Sequence, residues 1–162
     1  MQFIFEKIVP VQRKILFQFH SCPERLEVLH DGWSRTRLLK HEKRVRVGGE
    51  TWVEQTIAGV LPVILGFRHI MFEPPSRFGE ELIHGPFSKF HHIHEFEERK
   101  SETMVRDLVD VEWPWQYGGA VAMRLCVERG IRKMFEARGA AIMRLAQEGV
   151  IELMVARDQT PN

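Results

Sequence analysis

The sequence predicts an α+β fold in which a curved antiparallel sheet of seven strands wraps around one long C-terminal helix. Segments with the two-residue period of strands fill most of the chain up to Pro114, separated by short breaks rich in glycine and proline. The last third instead repeats apolar residues at the spacing of a long amphipathic helix. Because one helix cannot fill a strongly curved sheet, we expect an internal, mostly apolar cavity between them.

Composition limits the classes of protein to which the chain can belong. The chain of 162 residues has 23 Lys+Arg and 22 Asp+Glu, and 44% of all its residues are apolar. These values predict one globular domain over residues 1–156, followed by a polar tail at 157–162. The near-neutral charge argues against a nucleic-acid partner, and no apolar run reaches the length of a membrane span. Cys22 and Cys126 do not have metal-ligand spacing, so we expect reduced thiols and a cytoplasmic protein.

The N-terminal third predicts one strand and two short helices. Residues 2–9 alternate as a strand with one buried face, and Pro10 ends it. Apolar residues then recur at helical spacing over 11–19. A second helix is predicted to begin at Ser21-Cys22-Pro23-Glu24, with Ser21 as its N-cap and Glu24 completing a capping box.

The middle of the chain predicts six more strands, at 35–47, 50–58, 61–73, 77–84, 88–98 and 103–113. Gly48-Gly49 predicts a tight hairpin turn, and Gly59 and Gly85-Pro86 predict two further turns. The amphipathic pattern then predicts a helix from Gly119 to about Glu148. The segment 150–156 is compatible with either helix or strand.

The most informative motif is a histidine cluster on one predicted strand. Strand alternation places His92 and His94 on one face with Phe90 and Phe96, and His91 on the other. In the hairpin that follows, same-face pairing places a carboxylate, Asp107, opposite one of the two histidines.

In the preceding hairpin, one register places Glu80 beside His94 and Leu82 beside His92. Two imidazoles and one or two carboxylates therefore share a face. Three interpretations stay open: a buried polar network that fixes the hairpins, a ligand-orienting or proton-transfer site, and a site for zinc or non-haem iron. Because nothing in the sequence fixes a third ligand, we predict no metal and no cofactor.

Other candidate ligand-binding residues lie on the long helix and at the end of the last strand. Met134 and Phe135 belong to the apolar stripe of the helix, and Arg138 interrupts that stripe. A polar residue there either reaches water or a carboxylate, or binds an acidic or carbonyl group of a ligand. Trp113 either packs at the rim of the sheet or gates the mouth of a cavity.

The segment 70–96 resembles bacterial proteins of the SRPBCC superfamily, also called START/Bet v 1-like. The motif comprises Pro-Pro, Phe, Gly-Pro-Phe and an aromatic-x-His-x-His-x-Phe run, carried here by Pro74, Pro75, Phe78, Gly85, Pro86, Phe87, Phe90, His92, His94 and Phe96. The resemblance extends loosely over residues 2–148. The chain departs from the family pattern at Phe90, usually Trp, at Glu102, usually Gly, and at Val111, where an aromatic residue is expected.

The resemblance implies a helix-grip fold and a hydrophobic small molecule, lipid or polyketide-like, held in the cavity without assured catalysis. It also implies the alternative of a polyketide cyclase or dehydratase that uses His92, His94 and Asp107 for acid–base chemistry. The candidate ligand-binding residues are Glu80, Phe90, His92, His94, Phe96, Asp107, Trp113, Met134, Phe135 and Arg138. The expected partner is a small molecule, and homodimerisation is left open.

Overall fold

A computed structural model describes residues 1–31, 33–57, 61–118, 121 and 127–159. Its seven strands are β1 Gln2–Val9, β2 Thr36–Lys40, β3 Glu50–Ile57, β4 Leu61–Glu73, β5 Arg77–His84, β6 Lys89–Arg99 and β7 Glu102–Glu112. They form one antiparallel sheet in the order β1-β7-β6-β5-β4-β3-β2. The predicted meander is confirmed, because every strand from β2 to β7 pairs with its neighbour in sequence and β1 closes against β7.

Four α-helices are described: α1 Arg13–His20, α2 Leu26–Leu29, α3 Glu128–Gln147 and α4 Val150–Gln159. The buried stripe of α3 includes Ile131, Phe135, Ile142 and Leu145, as its apolar spacing predicts. The part of this helix predicted over residues 119–127 falls mostly outside the described residues.

Gly149, with a φ of 67°, ends α3 and allows the chain to begin α4. The segment left open at 150–156 is therefore helical. The first three residues of the predicted polar tail, which begins at Arg157, continue α4. Asp158 forms ion pairs of 3.0 Å with Arg25 and 3.1 Å with Arg44, and these pairs tie the end of α4 to the body of the domain.

Two local expectations near the N-terminal helices are wrong. The Ser21 hydroxyl donates to the Gln18 carbonyl instead of capping the next helix, which begins as a 3-10 turn after Cys22. The strand predicted over 35–47 ends at Lys40, so Gly48-Gly49 does not form a tight hairpin. The charged run from His41 to Arg46 forms a loop, in which Arg46 binds Glu42. The turn predicted at Gly59 lies outside the described residues.

The described residues form two apolar core clusters under the sheet. The first surrounds α1, α4 and the C-terminal half of α3, and contains Leu16, Phe17, Phe78, Phe96 and Ile151. The second lies at the other end of α3 and contains Phe3, Phe90, Val111, Ile131 and Phe135. No described helix is long and apolar enough to cross a membrane.

Candidate functional site

A row of polar side chains crosses five neighbouring strands, from β3 to β7, on the face that packs against α3. We call it the polar row; its members are Thr51, His69, Glu80, His92, His94 and Asp107. The row exists because strand alternation places these side chains on one face and the register brings them level. His94 pairs with Asp107 across β6 and β7, and Glu80 pairs with His92 across β5 and β6.

The pairing of Asp107 with the histidines is confirmed, whereas the register predicted for Glu80 is wrong by two residues. Glu80 stands opposite His92 rather than His94. The reason is that the β5–β6 connection is centred on Pro86, after Gly85 with its φ of 155°, rather than one residue later. Both registers keep the carboxylate on the histidine face, because the shift is an even number of residues.

Asp107 joins both histidines. The Nε2 group of His92 donates to its Oδ1 over 3.0 Å. His94 Nδ1 lies 2.6 Å from the same oxygen, but its direction does not make a hydrogen bond. His92 and His94 are each 3% exposed, so this contact is removed from water.

Glu80 lies between two imidazoles on the other side of the row. Its Oε1 is 3.6 Å from His92 Nδ1, and its Oε2 is 3.6 Å from His69 Nδ1. Both distances are too long for a hydrogen bond. The second nitrogen of His69 is bonded to the Thr51 hydroxyl at 3.0 Å, which fixes the ring.

The charges of the row follow from burial and from these neighbours. Burial lowers the pKa of His92, but the carboxylates of Asp107 and Glu80 outweigh burial and raise it above the ordinary value. Burial and the neighbouring His92 cation lower the pKa of His94 to about 3. Burial raises the carboxylate pKa values, yet the adjacent imidazoles lower that of Glu80 to about 2 and hold that of Asp107 well below its usual range.

A cavity of about 270 Å³ opens between β1, β7 and α3, beside the polar row. Apolar side chains line much of it, and exposed Glu6, Lys7 and Glu136 lie at its edge. The residues that line it are Ile4, Phe5, Glu6, Lys7, His20, Val105, Asp107, Phe135, Glu136, Arg138, Gly139 and Ile142. The polar row therefore meets this cavity through Asp107.

Arg138 is the buried cation of the cavity. It is 9% exposed and lies in the buried stripe of α3, as the sequence predicts. Its guanidinium stands 6.0 Å from the centre of the Phe135 ring. Among the described residues, no carboxylate oxygen lies within 4 Å of it, whereas Asp107 already has two imidazole neighbours. Within the described part of the chain, Arg138 is thus a cavity-lining residue whose charge has no ion-pair partner.

Three of the ten candidate ligand-binding residues line this cavity: Asp107, Phe135 and Arg138. Glu80, His92 and His94 lie in the polar row and do not line it. Phe90 and Phe96 lie in separate apolar clusters, and Met134 packs at the edge of the second cluster. Trp113 packs on Phe87 beside a different, open cleft at the end of the sheet.

Sequence reasoning missed Phe5 and His20 as cavity residues. The Phe5 ring stacks on Phe135 with centroids 4.3 Å apart. Strand alternation in β1 could have placed Phe5 on the inner face with Phe3. His20, the last residue of α1, is bonded through Nδ1 to the Leu16 carbonyl, and no pattern signals that its ring reaches the cavity.

No family model matches the chain, and no match is found among curated proteins. Solved structures do match over nearly the whole chain. Protein Ms6760 from Mycobacterium smegmatis is 14% identical, with a TM-score of 0.71 over 91% of this chain and 92% of its own. TTHA0849 from Thermus thermophilus is 13% identical, with a TM-score of 0.72 over 92% and 99%.

A plant protein has the same architecture. Ginseng major latex-like protein 151 from Panax ginseng is 10% identical, with a TM-score of 0.67 over 90% of this chain and 97% of its own. Identities this low establish the fold alone, and the seven-stranded sheet around α3 agrees with it. The chain has the helix-grip fold of the Bet v 1-like proteins of the SRPBCC superfamily.

Proposed function

We propose that the protein binds a small amphipathic molecule in the cavity between β1, β7 and α3, with an anionic or carbonyl group of the ligand placed against Arg138. The observation that carries the proposal is Arg138 in the cavity lining, a residue only 9% exposed whose guanidinium has no carboxylate neighbour in the described structure. A ligand oxygen would supply the missing charge-assisted hydrogen bond. Phe5, Phe135 and Ile142 would contact the apolar part of the same ligand.

The size and lining of the cavity narrow the ligand class. About 270 Å³ is slightly below the range of about 300–1,000 Å³ for small-molecule sites, so we expect a ligand with one short chain or a compact ring system. This volume favours a polyketide-like or short-chain acid over a lipid with two long chains. The charged residues at the edge of the cavity would lie near the polar end of such a ligand or near water.

The arrangement favours binding over acid–base catalysis. His92 and His94, the residues predicted for proton transfer, lie outside the cavity lining and are nearly inaccessible. Asp107 does reach the cavity, but a carboxyl group whose pKa lies well below its usual range is a weak base at neutral pH. Its role in this proposal is to hold the two imidazoles and shape the polar wall.

The test uses 8-anilinonaphthalene-1-sulfonate, which combines apolar rings with one anionic group. Its affinity is measured by fluorescence titration of the wild type, Arg138→Met and Arg144→Met. Arg144 is a matched control because it lies on the same helix, is exposed and does not line the cavity. Loss of a hydrogen bond to a charged group costs about 1.5–3 kcal/mol, so we expect Arg138→Met to weaken binding about 10- to 100-fold.

Arg144→Met is expected to stay within about twofold of the wild type, because exposed charges contribute little. Equal affinities of the wild type and Arg138→Met, with both folded by circular dichroism, would contradict the proposal. A separate experiment, native mass spectrometry of freshly purified protein followed by denaturation, would identify a natural ligand that is purified with the chain.

A further inference from the structure

Glu80, His92 and His94 bring together donor atoms of the kinds that bind transition metals. One atom from each residue lies within 4.8 Å of the others. Two imidazoles and one carboxylate are the ligand types of zinc and of non-haem iron. This arrangement belongs to the polar row and not to the lining of the cavity in which we place the small molecule.

The contact between His92 and Glu80 has the spacing of two ligands on one ion. His92 Nδ1 and Glu80 Oε1 are 3.6 Å apart, too far for a hydrogen bond. Two ligands bound tetrahedrally at ordinary zinc distances stand about 3.4 Å apart. The other nitrogen of His92 donates to Asp107, which fixes the ring with Nδ1 directed towards Glu80.

Two buried imidazole nitrogens of the row contact a carboxylate without a directed hydrogen bond. Nδ1 of His94 and Nδ1 of His69 are buried, and neither makes a hydrogen bond. Each stands beside a carboxylate of the row, His94 beside Asp107 and His69 beside Glu80. Buried polar atoms are nearly always hydrogen-bonded, so the row does not satisfy these two nitrogens fully and is compatible with a bound cation.

Neighbouring side chains hold the three proposed ligand residues in place. Histidines that bind a metal generally donate their second nitrogen to a carboxylate, and carboxylate ligands are themselves held in place. Asp107 accepts the hydrogen bond from His92, and His69, fixed by Thr51, stands behind Glu80. Two carboxylates, Glu80 and Asp107, would also balance the charge of a divalent ion.

We propose that Glu80, His92 and His94 bind a divalent transition-metal ion of the zinc type, supported by Asp107. The site goes beyond small-molecule binding at Arg138, and either proposal can fail without the other.

The experiment uses the full chain without an affinity tag, treated with a chelator and dialysed. Cobalt(II) is titrated while its visible absorption is recorded, and zinc binding is measured by equilibrium dialysis with elemental analysis. We expect one ion per chain and the strong ligand-field absorption of four- or five-coordinate cobalt. Glu80→Gln and His94→Gln are expected to weaken binding at least 100-fold.

His91→Gln is the matched control, since His91 lies on the same strand, faces outward and is near Glu81. It is expected to leave affinity within about twofold of the wild type. Asp107→Asn retains all three ligands and removes only the carboxylate that supports His92, so we expect it to weaken binding about 10- to 100-fold. This variant tests the site even if a ligand variant does not fold. The proposal is overturned if the folded wild type binds no ion at 100 μM cobalt or zinc, or if His91→Gln loses the ion as fully as His94→Gln.

Discussion

Asp107→Asn tests how much the polar row contributes to stability. The substitution keeps the size of the side chain but removes its charge, and Asp107 accepts the 3.0 Å hydrogen bond from His92 while His94 Nδ1 lies 2.6 Å away. A hydrogen bond to a charged group contributes about 1.5–3 kcal/mol, and a neutral amide also loses the electrostatic attraction by which Asp107 raises the pKa of His92. We therefore expect a loss of about 3 kcal/mol in the free energy of unfolding.

The assay is thermal and urea unfolding followed by circular dichroism. For a domain of this size, about 3 kcal/mol corresponds to a fall in Tm of about 6–12 °C. Asp110→Asn is the matched control, because Asp110 lies on the same strand but on the outer face, where it pairs with Lys89 at 2.6 Å and is partly exposed. The control should lose no more than about 1 kcal/mol. Equal losses in the two variants would refute the view that the row is a buried, coupled network.

Three other variants test separate parts of the account. Gly130→Ala should raise the free energy of unfolding by about 0.5–1 kcal/mol, because Gly130 lies exposed in α3 with open space around a new Cβ; a lower Tm would contradict this. Asp158→Asn should lower it by about 1 kcal/mol, since Asp158 pairs with two arginines, and an unchanged urea midpoint would show that these pairs do not hold α4. Burial, and then the charge of Arg138, lower the pKa of His30 from 6.5 to about 3. The contribution of neutral His30 to the free energy of unfolding is therefore fully present above pH 6.5 and is lost as the pH falls towards 3. His30→Asn should therefore flatten the loss of stability between pH 6.5 and 4, measured by urea midpoints at each pH, and an unchanged slope would count against a buried neutral His30.

The strand periods and the helical stripe were sufficient to predict the sheet, the placement of His92 with His94 and the position of Arg138 within the apolar stripe of α3. These features depend on local alternation, which a sequence records directly. The position of Glu80 was missed by two residues because the centre of the β5–β6 connection depends on the backbone at Gly85. Sequence spacing does not contain that information.

The parts of the site that come from distant elements could not be read from spacing. His69 joins the row only because β4 lies between β5 and β3, and the match of its ring to Thr51 depends on the exact register of that pair of strands. His20 reaches the cavity from α1, whose orientation is set by packing against α4 and the sheet. Tertiary packing, rather than local pattern, decides both positions.

Recognition of an anionic group by Arg138 inside the cavity is the basis of the proposed small-molecule binding. The most direct measurement compares octanoate with octan-1-ol, which share a chain length but differ in charge, by displacement of 8-anilinonaphthalene-1-sulfonate from the wild type and from Arg138→Met. We expect the wild type to bind octanoate at least about tenfold more tightly than the alcohol and Arg138→Met to lose this preference. The same ratio of affinities in both proteins would contradict it.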